Sequence, residues 1–271
     1  NKGFEMELGW NSTIGKVNYY LKGIYAFNRN KVIEKSEAAK PYPYMYEAGL
    51  PIKQFIGYQY DGFFSSYDEI ASSPQQFGLT NLKPGDIKYK DINGDGIVDE
   101  NDQAPIGYST VPEMTYSLQL GASYKGFDVS VMFQGAARSS VYLYQDLGWD
   151  NMTGNYYEEH INRWTPETAA TATYPRFLQG SKESHQNYYL SDFWLKDGKY
   201  LRLKNVMISY TFDKKMLRKT PFSSLKIFAS GFNLITWDKL KKVDPEVAPS
   251  SNTGYFYPQQ RQYNMGINVS F

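Results

Sequence analysis

Apolar and polar residues alternate along much of the chain, and alternation predicts β-strands because successive strand side chains point to opposite faces. Over 4–10, Phe4, Met6, Leu8 and Trp10 fall on one face and Glu5, Glu7 and Gly9 on the other. Over 17–27, Val17, Tyr19, Leu21, Tyr25 and Phe27 alternate with residues that include Asn18 and Lys22. Over 116–124, Tyr116, Leu118, Leu120, Ala122 and Tyr124 alternate with Ser117, Gln119, Gly121 and Ser123. Phe127, Val129, Val131 and Phe133 mark a strand over 127–133, and Val206, Ile208, Tyr210 and Phe212 another over 206–212. Upstream of Val206 the apolar parity moves to Leu201 and Leu203, which predicts a bulge near Asn205. The run 224–236 is less clean, with Leu225 and Ile227 on one parity and Phe228 and Phe232 on the other. Tyr263, Met265, Ile267, Val269 and Phe271 give the last stripe, against Asn264, Gly266, Asn268 and Ser270.

The connections between these seven spans alternate in length. Thr13–Gly15, Lys125-Gly126 and Asp213–Phe222 are short; 29–113, 137–199 and 236–261 are long. Short turns at one end and long loops at the other are the arrangement of an outer-membrane barrel, with the short turns in the periplasm and the loops outside. With Phe271 at the periplasmic end, counting back makes the first span run downward too, and the Thr13–Gly15 turn falls on the periplasmic side. Seven strands do not close an even-numbered barrel, and the opening Asn-Lys-Gly-Phe-Glu-Met-Glu-Leu carries no apolar signal segment. The expectation is therefore that 1–271 is the C-terminal part of a larger barrel. The in-phase stripe Tyr263, Met265, Ile267, Val269 and Phe271 reads as the signal recognised by the barrel-assembly machinery.

Composition narrows the field. With 29 Lys+Arg against 28 Asp+Glu the formal net charge is +1, which gives no basic footprint for nucleic acid. Mean hydropathy is −0.56, and the chain has no apolar run of helix-spanning length. The chain has no cysteine and only two histidines, His160 and His185, so thiolate sites and multi-His metal centres are excluded. The aromatic share is high, with 25 Tyr, 16 Phe and 5 Trp, and such residues gather where one side of the ring is dry and the other wet.

One segment carries metal chemistry. Residues 91–102 read Asp-Ile-Asn-Gly-Asp-Gly-Ile-Val-Asp-Glu-Asn-Asp. Asp91, Asn93, Asp95, Asp99 and Asp102 place side-chain oxygens at loop positions 1, 3, 5, 9 and 12; Gly96 sits at the sharp turn, and Ile97 at position 7 offers its carbonyl. A hard cation needs such a wrap of oxygens, so the spacing predicts a structural Ca²⁺ within the 85–102 loop. Asp in place of Glu at position 12 is the departure.

Elsewhere no acid–base dyad or activated nucleophile is framed, and the chain reads as a non-enzyme. Glu158-Glu159-His160 is expected to be a solvated loop cluster, Ser65-Ser66 and Ser139-Ser140 lack a nucleophile's context, and Lys214, Lys215, Arg218 and Lys219 form a basic turn.

Gly85-Asp86-Ile87-Lys88-Tyr89-Lys90-Asp91-Ile92-Asn93-Gly94-Asp95-Gly96 resembles the hallmark of the SusC/RagA family of TonB-dependent outer-membrane transporters of Bacteroidetes. Gly57-Tyr58, Asp61-Gly62-Phe63, Arg163-Trp164-Thr165, Tyr174-Pro175-Arg176, Tyr200-Leu201-Arg202-Leu203-Lys204-Asn205-Val206, Gly231-Phe232-Asn233-Leu234 and Asn268-Val269-Ser270-Phe271 extend the resemblance over the chain. It implies an all-β transmembrane barrel of about 22 strands, of which these would be the last seven, seated in outer-membrane lipid. It also implies a plug and TonB box outside this chain, coupling to the TonB complex, a SusD-like surface lipoprotein and uptake of oligosaccharides or peptides. The loop aromatics Tyr142, Tyr144, Trp149, Tyr156, Tyr157, Trp164 and Trp194 then have three open roles: stacking on sugars, packing under the lipoprotein, or filling the loop's own core. Two other classes stay open: a small self-contained barrel acting as adhesin or enzyme, and a soluble calcium-stabilised carbohydrate-binding β module.

Overall fold

A computed structural model describes residues 1–143, 148–150, 156–178, 185–240, 243–246 and 259–271 of the chain. Seven long strands dominate: β1 (Lys2–Ile14), β2 (Val17–Arg29), β3 (Met114–Tyr124), β4 (Phe127–Ala137), β5 (Tyr200–Thr211), β6 (Ser224–Asp238) and β7 (Gln262–Ser270). They form one sheet in chain order, every neighbour antiparallel. The shortest, β7, has 9 residues, enough for the roughly 9–11 that cross a hydrocarbon layer.

Register converts the alternation into two chemically distinct faces. One row crosses all seven strands as Trp10, Leu21, Leu120, Val131, Val206, Gly231 and Tyr263. The next row, on the opposite face, runs Asn11, Tyr20, Gly121, Ser130, Met207, Ser230 and Asn264. A one-residue slip anywhere would exchange the faces, so the stripes themselves fix the pairing. The ambiguous span resolves in the same way. Leu225 and Ile227 pair with Val269 and Ile267 on the apolar side, while the Phe228 ring covers Gly266 on the polar side.

The expected bulge is present. Met132 and Phe133 are adjacent on β4, yet their β5 partners are Asn205 and Leu203, so Lys204 is the extra residue. On β6 the same interval takes Phe232 to Ile235, with Asn233 at φ 52. This shift carries the apolar parity from Leu203 to Val206 without moving the apolar face.

The short connections share one end. Lys125 and Gly126, at φ 46 and 88, form the two-residue turn with both centres left-handed that matches strand twist. Between β5 and β6, Asp213 caps a single helical turn, Lys214–Leu217, by accepting from the Lys215 N–H. At the other end, the described parts of the first two long connections fold together. Tyr58, Ile87, Tyr89, Val98, Trp149, Tyr174, Tyr188 and Trp194 make one buried cluster, with short strand pairs such as Tyr60–Phe63 with Ile87–Tyr89 at its margin.

Candidate functional site

The loop-end cap begins from Asp86, a carboxylate with no exposed surface. Its Oδ2 accepts from the Lys83 N–H at 2.8 Å and from Arg176 Nη2 at 3.0 Å, and Oδ1 from Asn187 Nδ2 at 3.0 Å. Asn187 in turn accepts from the Ile87 N–H, and Gln186 Nε2 donates to the Ile87 carbonyl. Gly85 adopts φ +89, and a side chain there would begin 2.5 Å from the Trp164 ring. The segments 57–63, 85–89, 163–165 and 174–176 thus meet in one packed core. Lys88 extends it: its ammonium lies 2.8 Å from Glu69 and 3.4 Å from Asp61. That hydrogen bond, with those from Ser65, holds the Glu69 carboxyl down at about 2.

The aromatics divide by position. Trp149 and Trp194 are buried, and Trp194 Nε1 donates to the Asn187 carbonyl, so both fill the cap's own core. Trp164 packs on Gly85, and Tyr142 lies against the cluster. Tyr156 is exposed, and Tyr144 lies outside the described residues. His160 corrects the expectation of a solvated loop cluster. It is buried among Tyr174 and Phe177, its Nδ1 accepts from the Tyr157 N–H, and Nε2 faces the Gly148 carbonyl at 3.3 Å. Ser66 caps the helix Tyr67–Ser72 and Ser140 Oγ accepts from the Tyr108 N–H, both structural tasks.

The acidic loop lies on the rim of this core. Asp91 accepts the Gly94 and Gly96 N–H groups on separate oxygens, at 2.6 and 2.8 Å. Asn93 Oδ1 accepts from the Asp95 N–H and Asp95 Oδ1 from the Ile97 N–H. Asp99 Oδ1 accepts from the Asn101 N–H. Asp102 is fully buried and ties the two ends together: Oδ1 accepts from Ile92 and Asn93, Oδ2 from Asp99. The Gly96 and Val98 carbonyls accept from Gln75 and Phe77, which turns the Ile97 carbonyl to the other edge of its strand. The donors are the hard oxygens calcium takes, and Asp91, Asn93 and Asp95 retain lone pairs beyond these bonds. Convergence is incomplete: among the described residues no three acidic or imidazole groups gather closely enough to hold a metal ion.

Two further clusters fix loops to the sheet. Glu113 joins Arg29 and Arg138 at 2.7 and 2.5 Å, clamping the loop ends of β2, β3 and β4. Arg202, buried on β5, binds Asp244 at 2.6 Å and Glu246 at 2.9 Å, and Lys204 adds a second cation to Glu246. The sequence motif around Arg202 and Lys204 was visible; its partners, some forty residues on, were not.

On the apolar face, aromatics mark both margins. Tyr25, Tyr116 and Trp237 lie toward the loops; Tyr124, Phe127 and Tyr210 toward the turns. Tyr116 and Tyr124 are eight residues apart on β3, about 27 Å of strand, or about 20 Å along the axis at usual barrel tilt. That is near the ~25 Å apolar band of outer-membrane barrels. Among the described residues no helix is long and apolar enough to cross a membrane. In β7 the outward series Tyr263, Met265, Ile267, Val269 and Phe271 is exposed along an edge, and the Phe271 ring meets Phe222 at 5.4 Å.

A large all-antiparallel sheet with one apolar face and a packed loop cap is an architecture that solved proteins share. The structure of the RagAB peptide importer in its open-open state superposes at a TM-score of 0.73 over 99% of this chain and 28% of that one, at 20% identity. The RagAB peptide transporter gives 0.73 at 21% identity over the same share of this chain and 29% of that one. No family model matches. In sequence, TonB-dependent receptor P26 of Formosa agariphila is 29% identical over 82% of this chain and 23% of its own length. TonB-dependent receptor P3 of the same organism is 27% identical over 82% and 22%. TonB-dependent receptor SusC of Bacteroides thetaiotaomicron is 23% identical over 80% and 20%. Along most of its length the chain is thus similar in sequence to TonB-dependent receptors, SusC among them. It spans about a quarter of the length of the curated relatives it matches.

Proposed function

We propose that this chain forms seven consecutive strands of the wall of an outer-membrane nutrient importer, with its long loops on the outer side. The observation that carries the reading is the row Trp10–Leu21–Leu120–Val131–Val206–Gly231–Tyr263, apolar or aromatic on six of the seven strands with glycine on β6, backed by a row in which Asn11, Ser130, Ser230 and Asn264 are polar. Such a face suits hydrocarbon and is wasted on a soluble module. β1 and β7 each keep a free edge in the described sheet. An unpaired edge in lipid leaves backbone groups unsatisfied at several kcal/mol each, so both edges pair with further strands of one closed barrel, of about 22 in all by family resemblance.

The cargo class is an oligosaccharide or a peptide, the latter supported by the likeness to a peptide importer. A SusD-like lipoprotein would cover the loop cap, whose exposed Tyr67, Tyr156 and Ile161 offer apolar contact. Energy would come from TonB acting through a plug outside this chain. The 91–102 loop would hold one structural Ca²⁺ through Asp91, Asn93, Asp95, Asp99, Asp102 and the Ile97 carbonyl. The reading is of a transporter, supported by the likeness to TonB-dependent receptors and a peptide importer.

The test is insertion of the full-length protein. Met265, 89% exposed on the apolar side of β7, alternates with Asn264 on the polar side. Met265→Arg should sharply reduce the heat-modifiable band in outer-membrane fractions, and Asn264→Arg should leave most of it. Equal losses would defeat the face assignment.

A further inference from the structure

The turn end of the sheet carries a charge pattern that the importer reading does not use. Each of the three short connections is basic: Lys16 after β1, Lys125 after β3, and Lys214, Lys215, Arg218 and Lys219 between β5 and β6. All six are exposed, and none forms an ion pair among the described residues. The single acid within those turns, Asp213, is occupied by capping the helix. Asp128 and Lys226, the nearest charges on the strands, are on the polar face.

The Lys214–Leu217 turn is also amphipathic in a specific direction. Leu217 is buried against the sheet end, whereas Met216 is 59% exposed and its sulfur accepts from the Tyr210 hydroxyl at 3.7 Å. Tyr210 belongs to the aromatic margin, 4.5 Å from Phe127 and 4.9 Å from Phe212 between ring centres. The helical turn therefore lies where the apolar face ends, with a thioether toward the hydrocarbon side and cations just beyond it. Lys125 shows the same layering, its ammonium 5.1 Å above the Tyr124 ring. Long cationic side chains at such a boundary put their stems along apolar surface and their charges among headgroups.

We propose that the turn rim, centred on Lys214, Lys215, Arg218 and Lys219, is a docking surface for the anionic phospholipid headgroups of the adjoining leaflet. The choice of lipid over a protein partner rests on two observations. The rim is continuous with the apolar face, and Met216 and the aromatic margin point the cluster toward the bilayer. Basic residues at a membrane surface each strengthen attraction to anionic lipid, by about fivefold. The proposal rests on the barrel-wall reading, and its test separates the two.

The experiment compares full-length wild type with Lys214→Gln/Lys215→Gln/Arg218→Gln/Lys219→Gln, reconstituted in mixed phosphatidylethanolamine and phosphatidylglycerol vesicles. Lipid retained on the detergent-extracted protein is quantified by mass spectrometry. Wild type should retain phosphatidylglycerol above its bulk fraction, and the variant should lose about fivefold or more of that enrichment while keeping its heat-modifiable band. Should the fourfold variant not assemble, Lys214→Gln/Lys215→Gln, outside every strand, gives the same comparison at smaller amplitude. Equal enrichment in wild type and variant overturns the proposal. So does selective displacement by inorganic phosphate at matched ionic strength, or unchanged lipid retention with lost binding of a soluble TonB domain. Absence of a heat-modifiable band in wild type would instead count against the barrel wall.

Discussion

Asp86 and Arg176 meet across ninety residues of chain, with Arg176 Nη2 donating to Asp86 Oδ2 at 3.0 Å inside a carboxylate site closed to solvent. The pair locks the hallmark segment around Gly85 to the Tyr174-Pro175-Arg176 segment. Arg176→Gln would leave the buried charge with only the Lys83 N–H and Asn187 as donors. Removing one member of such a pair costs about 3–5 kcal/mol, and the partial exposure of Arg176 places the expectation at the lower end. Hydrogen exchange at the Ile87 and Tyr89 amides should accelerate by at least about 100-fold, while amides at the centre of β4 stay protected. Unchanged exchange in the cap would show that the pair does not hold it.

The same cluster makes the cap acid-sensitive. His185 Nε2 is 3.9 Å from Asp86 Oδ2. Burial holds its imidazole below the usual histidine range, opposed by Asp86 and aided by Arg176. The unfolded imidazole titrates near about 6.5, so between the two values the unfolded cap binds more protons than the folded one. The stability from a neutral His185 is present above that value and lost as pH falls through the folded one. Cap exchange measured from neutral to mildly acidic pH should therefore rise as pH falls, and His185→Gln should flatten the profile. A profile of unchanged slope in that variant removes His185 as the cause.

The sheet was legible because its determinants are local. Strands over 4–10 and 127–133 lie within β1 and β4, the 263–271 stripe overlaps β7 and runs one residue past its end at Ser270, and the parity change before Val206 pointed to the right bulge. The cap was legible only as motifs. Its contacts join Asp86 to Arg176 and Ile87 to Asn187, about a hundred residues apart, and no short period marks such partners. Trp149 and Trp194 could equally have faced a ligand, and His160 sat in a polar string of sequence that gave no hint of burial.

The apolar face makes a depth-specific prediction at the middle of the sheet. Val131 is flanked by Leu120 and Val206, whereas Ser130, one residue away, faces Gly121 and Met207 on the polar side. A cation at the midplane of a barrel's lipid face costs about 2–4 kcal/mol. In the full-length protein, Val131→Arg should lower the unfolding free energy from urea titrations in vesicles by about 2–4 kcal/mol. Ser130→Arg should cost well under half as much. A reversed order would place lipid on the other face.

Calcium gives the last test, because the 91–102 loop is held by hydrogen bonds that a cation would supplement. Asp91, Asn93 and Asp95 each spend side-chain oxygens on N–H groups of the loop itself, at 2.6 to 3.0 Å. These bonds draw four side-chain oxygens around Gly94 and Gly96 and set the Asp91 and Asp95 charges on one short loop. Bound Ca²⁺ would neutralise them, and closing the coordination sphere would require the Asp99 side chain and the Ile97 carbonyl to turn inward, since Asp102 Oδ1 already accepts two N–H groups. At a free calcium concentration 100 times the dissociation constant, binding stabilises the folded loop by about 2.7 kcal/mol. Adding Ca²⁺ to chelator-treated full-length protein should thus slow proteolysis within the loop and raise the cap's unfolding temperature. Mg²⁺, which wants a tighter octahedron, should do much less. Asp95→Asn should weaken the response and leave the calcium-free protein near its starting stability, because its amide oxygen can still accept the Ile97 N–H. Asp91→Asn should weaken the response and also loosen the calcium-free loop, because one of the two oxygens that accept Gly94 and Gly96 becomes a donor. If calcium changes neither proteolysis nor unfolding temperature, the spacing serves a hydrogen-bonded turn and no metal is held there.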